Sequence, residues 1–322
     1  MPELPEVETI ARGVHERVRG DVIAQVWFGS HREPFKTPAA RQAAGLEGRA
    51  ILAVHRTGKH IVCELSGADD HLSSHSSRKN KNAARAGHLS DILQRGSFAA
   101  LRMTAAEMGC LGREGAEVAA EAQWIVHLGM TGRLLVTTPD APVAAHTHAR
   151  LTLASGREIR FVDPRRFGRL EWRDLRKTAG FASPGSDPLS IEAEEFAALF
   201  RGRKLAIKAA LLNQTLLAGV GNIYADESLF RAGIRPRKQA GRLTRADLER
   251  LRLALREVLQ HAIRLGGSSV SDYVDANGVR GFFQLEHCVY LRTGEPCRHC
   301  QTPIRRILLA GRGTHYCSQC QR

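Results

Sequence analysis

The chain opens with Met1, Pro2 and Glu3, a combination that could perform nucleophilic chemistry. If Met1 is removed, the secondary amine of Pro2 becomes the terminal amine and lies beside the Glu3 carboxylate. A terminal amine has a pKa near ~8, well below the ~10.4 of lysine, so much of it is neutral near physiological pH. Such an amine can attack a sugar or carbonyl carbon and form a Schiff base, with Glu3 placed to move the protons. A proline at position 2 usually has no function, so the rest of the chain must decide.

Four cysteines near the other end of the chain have the spacing of metal ligands. The pattern is C-x2-C-x16-C-x2-C, formed by Cys297, Cys300, Cys317 and Cys320. Two such knuckles are typical of a structural zinc site, in which four thiolates complete a tetrahedron. Two disulfides are the alternative, which this spacing and a reducing compartment disfavour. The sequence therefore predicts one structural zinc ion.

The charge balance indicates the class of partner. The 322 residues include 47 Lys and Arg against 33 Asp and Glu, which gives a net charge of +14 and a pI of about 10.0. A surplus of this size predicts a polyanionic partner, nucleic acid first and an anionic membrane surface second. No apolar run reaches the ~18 residues of a membrane span, and Pro5 with its acidic neighbours occupies the place of a secretory signal's apolar region. We therefore expect a soluble, intracellular protein.

One helix must position the first residues. Apolar side chains at helical spacing predict a helix over residues 5–19, directly behind Pro2 and Glu3. The positive end of its dipole would favour the neutral amine of Pro2 and the ionised form of Glu3.

Short β-prone runs follow this helix. They are Val22–Phe28, Ile51–Val54, Ile61–Leu65, Trp124–Leu128, Leu134–Val136, Arg150–Leu153 and Glu158–Val162. Turn signals between them suggest hairpins, and many short strands of this kind predict a β-sandwich or barrel-like domain. Lys59 falls at the tip of the first hairpin, and residues 163–168 form a loop after the last strand.

The segment between Leu65 and Trp124 has a different character. Residues 69–90 are rich in Ser, His, Asn, Lys and Arg, and residues 91–122 are rich in Ala and Gly. This composition predicts an inserted loop, disordered at first and partly helical later. We assign it no role.

The pattern becomes helical from about residue 190. Helices are predicted over Ile191–Phe200, Ala206–Leu212 and Ile223–Ala232, and Thr244 and Asp247 form a capping box for a fourth. Gly219 and Gly221 precede the third helix, where exposed backbone N–H groups could bind a phosphate. A plain helical hairpin is the alternative reading of this segment taken alone.

Several short motifs together resemble those of the formamidopyrimidine-DNA glycosylases. They are Met1–Thr9, Gly58-Lys59, His127–Gly132, Asp163–Gly168, Gly219–Glu227, Gly266–Ser269 and the cysteine hairpin with Gly311–Gly313. The resemblance covers the chain except roughly residues 66–122. It implies an α+β multidomain fold: an N-terminal β-sandwich with flanking helices over 1–185, a helix–two-turn–helix module over 190–285 and a zinc β-hairpin over 286–322.

The resemblance also implies roles for individual residues in catalysis. Pro2 matches the Schiff-base nucleophile that attacks C1′ of the damaged nucleotide, and Glu3 matches the proton donor that helps to open the sugar. Lys59 matches the lysine that assists catalysis and β-elimination. Arg312 matches the hairpin arginine that grips phosphate and is linked to δ-elimination, whereas a solvated arginine is the ordinary alternative.

Further positions match the family's DNA contacts. Met130, Arg165 and Phe167 match the trio that fills the space left by a flipped nucleotide and holds the orphaned base, although Met130 and Phe167 alone would be assigned to a core. Phosphate contacts are implied for His146, Lys208 and Asn222 together with Arg312, and Arg203 lies near another basic family position.

The function implied by the resemblance is excision of oxidised purines from double-stranded DNA by a monomeric enzyme. Such an enzyme is a bifunctional glycosylase and abasic-site lyase of base excision repair. Its substrates would be 8-oxoguanine and formamidopyrimidines, and it would cut the strand by β,δ-elimination. Two alternatives remain: an endonuclease VIII-like glycosylase for oxidised pyrimidines, and a non-catalytic zinc DNA-binding protein.

Overall fold

The computed structural model describes residues 2–30, 34–67, 119–270 and 273–322. The predicted insertion falls largely on residues 68–118, so its expected disorder and helicity lie outside the described residues. No helix among the described residues has both the length and the apolar character that crossing a membrane requires.

The N-terminal part is built from two four-stranded antiparallel sheets, with helices α1 (Leu4–Val18) and α2 (Ala39–Leu46) against them. The strands are β1 (Ile23–Phe28), β2 (Ile51–Thr57), β3 (His60–Leu65), β4 (Ala122–His127), β5 (Arg133–Thr137), β6 (Thr147–Leu153), β7 (Glu158–Val162) and β8 (Arg169–Asp174). One sheet has the order β1-β6-β7-β5 and the other β2-β3-β4-β8.

The core of this part combines side chains of both sheets with the apolar face of α1. Val7, Ile10, Val14 and Val18 are fully buried, as their helical spacing predicts, and they share one apolar cluster with strand residues such as Phe161. The sandwich prediction is thereby confirmed, and α1 lies on the sheet that carries the β2–β3 hairpin. The N-terminus of α1 is therefore fixed near the tip of that hairpin.

Two elements of the described N-terminal part were not predicted. Strand β8 follows residues 163–168, so this loop joins two strands instead of ending the series. Leu170 and Trp172 alternate with charged residues in Arg169–Asp174, which is the pattern of a half-buried strand, so the signal was present in the sequence. Helix α2, in contrast, is short and rich in Ala, which gives little periodicity.

The C-terminal part is helical. It contains α3 (Ala193–Phe200), α4 (Ile207–Leu211), α5 (Asn222–Arg231) and α6 (Arg245–Arg264). The capping box predicted for α6 is present, because the Thr244 hydroxyl accepts a hydrogen bond from the Asp247 N–H at 3.1 Å. Strands β9 (Arg305–Leu309) and β10 (Arg312–Tyr316) then form an antiparallel hairpin. The N-terminus of α5 faces the N-terminus of α1, and this junction holds the candidate site.

Candidate active site

Pro2 lies in a small cavity at the junction of the two parts. The cavity has a volume of ≈ 40 Å³. It is lined by Pro2, Glu6, Met130, Ile223, Ser268, Val270 and Tyr273. Four distant pieces of sequence thus meet around the residue predicted to be the nucleophile: the start of α1, the β4–β5 turn, the start of α5 and the segment after α6.

Two backbone groups at the start of α5 and just before it hold Glu3 in place. The Leu4 N–H donates to the Gly219 carbonyl at 3.0 Å, and Oε1 of Glu3 accepts from the Ile223 N–H at 3.2 Å. Its other oxygen, Oε2, is buried without a hydrogen-bond partner among the described residues. A Cβ on Gly221 would lie 2.1 Å from Cδ of Glu3, so only glycine leaves room for this carboxyl group.

Burial controls the acidity of Glu3. Desolvation raises the pKa of Glu3 to about 7; the positive charge of Lys59 opposes this rise, and the nearby Glu6 adds to it. The sequence predicted an ionised Glu3 at the helix N-terminus, but the cost of burying the charge exceeds the effect of the two helix termini. A carboxyl group with this pKa still carries a proton near neutral pH and can donate it.

Glu6 is a site residue that sequence reasoning missed. Its carboxylate accepts hydrogen bonds from the Glu3 N–H and the Ser268 N–H, each at 2.8 Å, and from the Tyr224 hydroxyl. Burial raises the pKa of Glu6. The available signal was its position three residues after Glu3, where a capping box places a carboxylate. Glu6 ties the start of α1 to α5 and to the segment after α6.

Lys59 lies at the predicted hairpin tip, which is packed against the linker between the two parts. Gly58 has a φ of 60°, and a Cβ there would lie 2.8 Å from the Ser183 hydroxyl. The buried Arg56 guanidinium pairs with Glu8 of α1 at 2.8 Å and with Asp187 of the linker. Burial lowers the pKa of Lys59, Glu3 opposes this shift and Arg312 reinforces it. The ammonium of Lys59 is thus electrostatically coupled to Glu3 and Arg312.

Arg312 is exposed at the start of β10, directly after Gly311, which has a φ of 72°. The backbone beside it is held by two residues predicted to contact phosphate. Lys208 Nζ donates to the Gly313 carbonyl and to the Thr314 hydroxyl, both at 2.9 Å, and Asn222 Nδ2 donates to the same carbonyl at 3.1 Å.

The Lys208 ammonium faces protein groups in this structure. Its side chain is 1% exposed, and it also pairs with the Asp226 carboxylate at 2.7 Å. Lys208 therefore supports the backbone beside Arg312, and its contact with a phosphate stays a prediction. Because Asn222 donates to the Gly313 carbonyl, its amide also supports the hairpin here.

The predicted wedge residues lie on two adjacent turns. Met130 is 41% exposed and Phe167 is 48% exposed, and the Arg165 guanidinium lies 4.8 Å from the Phe167 ring centroid. Thr131 donates to the buried Asp163 at 2.6 Å, and Gly129 allows the turns to approach, because a Cβ there would lie 2.5 Å from Phe167 backbone. Met130 and Phe167 are therefore exposed on two turns that contact each other, and Met130 also lines the Pro2 cavity.

The remaining two predicted contacts lie elsewhere. His146 is exposed, has a φ of 64° and accepts a hydrogen bond from the Asp163 N–H at its carbonyl, at 3.0 Å. Arg203 is half-buried, and its Nε donates to the Leu199 carbonyl. The structure therefore connects His146 with the loop of the wedge residues, but it gives Arg203 no contact with the residues around Pro2.

The four predicted cysteine ligands come together. Their Sγ atoms all lie within 4.8 Å of one another. The shorter separations of 3.4 Å and 3.8 Å are close to the ~3.8 Å edge of a tetrahedron with Zn–S distances of ~2.3 Å, and far above the ~2.05 Å of a disulfide. Cys297 and Cys317 are buried against Phe230 and Ile304, which joins the hairpin to α5. The donor set fits one structural zinc ion.

The two-sheet sandwich, the helical module and the cysteine-ligated hairpin bring Glu3, Lys59 and Arg312 within electrostatic reach of one another at their junction. Three family models match. They are "Formamidopyrimidine-DNA glycosylase N-terminal domain" over residues 1–170, "Formamidopyrimidine-DNA glycosylase H2TH domain" over 184–274 and "Zinc finger found in FPG and IleRS" over 294–322. The chain belongs to the formamidopyrimidine-DNA glycosylase family.

Individual relatives agree over the whole length. A formamidopyrimidine-DNA glycosylase of Solibacter usitatus is 40% identical over 322 residues, with 100% of both chains covered. A Lactococcus lactis FPG mutant solved with Fapy-dG containing DNA matches with a TM-score of 0.75 and 30% identity, covering 100% of both chains. The MutM (FPG) protein of Thermus thermophilus matches with a TM-score of 0.73 and 35% identity, covering 99% of this chain and 98% of that one.

Proposed function

We propose that this chain excises oxidised purines from duplex DNA as a bifunctional glycosylase and abasic-site lyase of base excision repair. The observation that carries the proposal is the shared position of Pro2 and Glu3: a cavity-lining secondary amine next to a buried carboxyl group whose pKa is raised to about 7. A non-catalytic DNA-binding protein has no use for this pair. The formamidopyrimidine lesion in the DNA bound by the Lactococcus lactis relative supports the purine class.

The first chemical step would use the terminal amine of Pro2 once Met1 is removed. The Pro2 nitrogen attacks C1′ of the damaged nucleotide, the bond from C1′ to the base breaks, and the base leaves with the electron pair and takes up the proton that the Pro2 nitrogen releases. Glu3 gives its proton to the ring oxygen as the sugar opens, so the product is an iminium ion between Pro2 and C1′. The raised pKa of Glu3 keeps this proton available near neutral pH.

Strand cleavage would follow from the iminium ion. Loss of a proton from C2′ breaks the bond between C3′ and its phosphate oxygen, and a second elimination breaks the bond at C5′. Lys59 would assist the first elimination, because burial lowers its pKa and so increases the fraction of neutral amine that can accept a proton. Arg312 would hold the leaving phosphate from the hairpin tip, with Lys208 and Asn222 fixing the backbone beside it.

The damaged nucleotide must leave the duplex before Pro2 can reach it. The lost stacking and base pairing cost roughly a few kcal/mol. Met130 and Phe167 would fill the vacated space, and Arg165 would donate to the orphaned base. His146 and Arg312 would contact phosphates, and Arg203 is retained as a more distant contact. The division into domains at 1–185, 190–285 and 286–322, a cytoplasmic location and a monomeric enzyme are part of the same proposal.

Borohydride trapping tests the chemistry. The protein is incubated with duplexes that carry 8-oxoguanine opposite cytosine, and reduction of the iminium ion should give a stable covalent complex. Pro2→Gly should lose most of this complex. No complex with wild-type protein, or an undiminished one with Pro2→Gly, contradicts the mechanism. Faster trapping on thymine glycol than on 8-oxoguanine would instead favour the oxidised-pyrimidine class.

A further inference from the structure

A second concave surface lies next to the loop of the wedge residues. It has a volume of ≈ 420 Å³ and is lined chiefly by Trp27, Ser30, His146, Thr147, Pro164 and Arg166. We refer to it as the Trp27 groove. It lies between the end of β1, the turn before β6 and the loop 163–168, and it is separate from the Pro2 cavity.

The Trp27 groove combines an aromatic surface with positive charge. Trp27 is 47% exposed although it lies in a paired strand, and the Arg150 guanidinium from the neighbouring strand is 6.0 Å from the indole centroid. Arg150 is held in turn by Glu158 at 2.9 Å. His146 and Arg166 are exposed, and no carboxylate is among the described residues that line the groove. An exposed aromatic ring next to arginine side chains can stack on an unpaired base while the arginines contact its phosphate.

The walls of the groove are fixed by backbone hydrogen bonds. The Gly29 N–H donates to the His148 carbonyl at 2.9 Å, and Nε2 of His148 is 3.0 Å from the Asp163 carbonyl. His146 and Arg166 both adopt left-handed conformations, with φ values of 64° and 56°. Non-glycine residues persist in this conformation only where the surrounding structure imposes it. The groove is thus preformed.

One loop connects the groove with the wedge residues. Arg165 is stacked on Phe167, whereas Arg166, between them, lines the Trp27 groove. A strand whose orphaned base meets Arg165 would therefore pass directly into the groove at the next nucleotide. We propose that the Trp27 groove binds an unstacked nucleotide of the complementary strand, next to the orphaned base, by stacking on Trp27 and by ionic contact with Arg166. This inference rests on the proposed function, because it uses the path of the damaged duplex.

Binding to duplexes with an uncleavable abasic-site analogue tests the groove without catalysis. Intrinsic fluorescence is compared between wild type and Trp27→Phe, because the other two of the three tryptophans are Trp124, which is 1% exposed, and the half-buried Trp172 of the other sheet. On a full duplex, DNA should quench the wild-type signal, and Trp27→Phe should lose this quenching. Trp27→Ala should weaken binding about five- to tenfold, in line with the loss of one stacked base. Leu253→Ala, at an exposed apolar residue of α6, is the matched control and should bind as wild type does.

Trimmed duplexes locate the nucleotide. In the first duplex the complementary strand ends at the orphaned base, so that the nucleotide proposed to enter the groove is missing. Wild type and Trp27→Ala should bind this duplex equally. When only the damaged strand is trimmed, the difference should persist. Equal binding of both proteins to the full duplex, or a difference that follows the damaged strand, overturns the proposal. Wild-type trapping with borohydride is measured in parallel, so failure of the groove and failure of the Pro2 chemistry give different results.

Discussion

Glu3 accepts a hydrogen bond from the backbone N–H of Ile223, a residue 220 positions further along the chain, at 3.2 Å. The predicted proton donor is therefore part of the junction between the sandwich and the helical module. Gly221 makes this contact possible, since a side chain there would occupy the space of the Glu3 carboxyl group. Relative movement of the two parts would therefore break this hydrogen bond and change the surroundings of the Glu3 carboxyl group.

Gly221→Ala should strongly reduce base excision. The added Cβ would lie 2.1 Å from Cδ of Glu3, so the carboxyl group must move out of its place between Pro2 and α5. We expect single-turnover excision of 8-oxoguanine to fall by about two orders of magnitude, the upper contribution of a lost general acid being ~10⁴-fold. Gly180→Ala is the matched control, because its Cβ would be 3.4 Å from the Gln123 side chain. Comparable activity of the two variants would show that the position of Glu3 is not critical.

The stability of the protein should depend on pH through Glu3. Its pKa is raised from 4.5 to about 7 in the folded state, so folding takes up a proton between these values. The stabilising contribution is complete below pH 4.5 and is lost as the pH rises to 7, a change of up to about 3 kcal/mol. Glu3→Gln lacks this dependence. Urea unfolding at several pH values should show wild type losing stability relative to Glu3→Gln from pH 4.5 to 7, whereas parallel curves would contradict the raised pKa.

Loss of zinc should unfold the hairpin and leave the sandwich intact. The four thiolates are its main cross-link, and structural zinc sites contribute ~10–16 kcal/mol to folding in isolated fingers. Cys300→Ser should lower bound zinc, increase amide hydrogen exchange across β9 and β10, and weaken DNA binding. Cys288→Ser is the control, because Cys288 is outside the cluster of four. Full zinc content and unchanged exchange in Cys300→Ser would exclude the cysteine site.

Asp226→Asn should release the hairpin tip that carries Arg312. The substitution leaves the ammonium of Lys208 buried without its counter-charge, and breaking a buried pair in this way costs ~3–5 kcal/mol. Hydrogen exchange of Arg312–Tyr316 should increase and phosphate-dependent DNA affinity should fall. Glu194→Gln removes a pair whose side chains are 74% and 78% exposed, and should change neither. Unchanged hydrogen exchange of the hairpin in Asp226→Asn would show that Lys208 does not support it.

Features that depend on local spacing were predictable from the sequence. The apolar face of α1, the Thr244 capping box and the four cysteines each lie within a short segment, and the structure confirms all three. Strand β8 was missed although Leu170 and Trp172 alternate with charged residues, which is the pattern of a half-buried strand. The roles of Pro2, Glu3, Lys59 and Arg312 came from family motifs, and the geometry brings them to one junction without testing their chemistry.

Features that depend on long-range contacts could not be predicted. Glu6 binds Tyr224 and Ser268, which are 218 and 262 positions away, and nothing in the first nine residues indicates these partners. Lys208 was predicted only as a phosphate contact, and its pairing with Asp226 and its hydrogen bonds to the hairpin could not be read from the sequence. The raised pKa of Glu3 likewise follows from burial by α5, which outweighs the local helix dipole that the sequence shows.

Mass spectrometry of the borohydride-reduced complex tests the central claim most directly. The protein is trapped on duplex DNA with 8-oxoguanine opposite cytosine, digested with nuclease and protease, and the adduct is located by fragmentation. We predict a reduced sugar remnant on the nitrogen of Pro2, in a peptide that begins at Pro2 without Met1. An adduct on Lys59 or another lysine, or a modified peptide that retains Met1, would contradict the account.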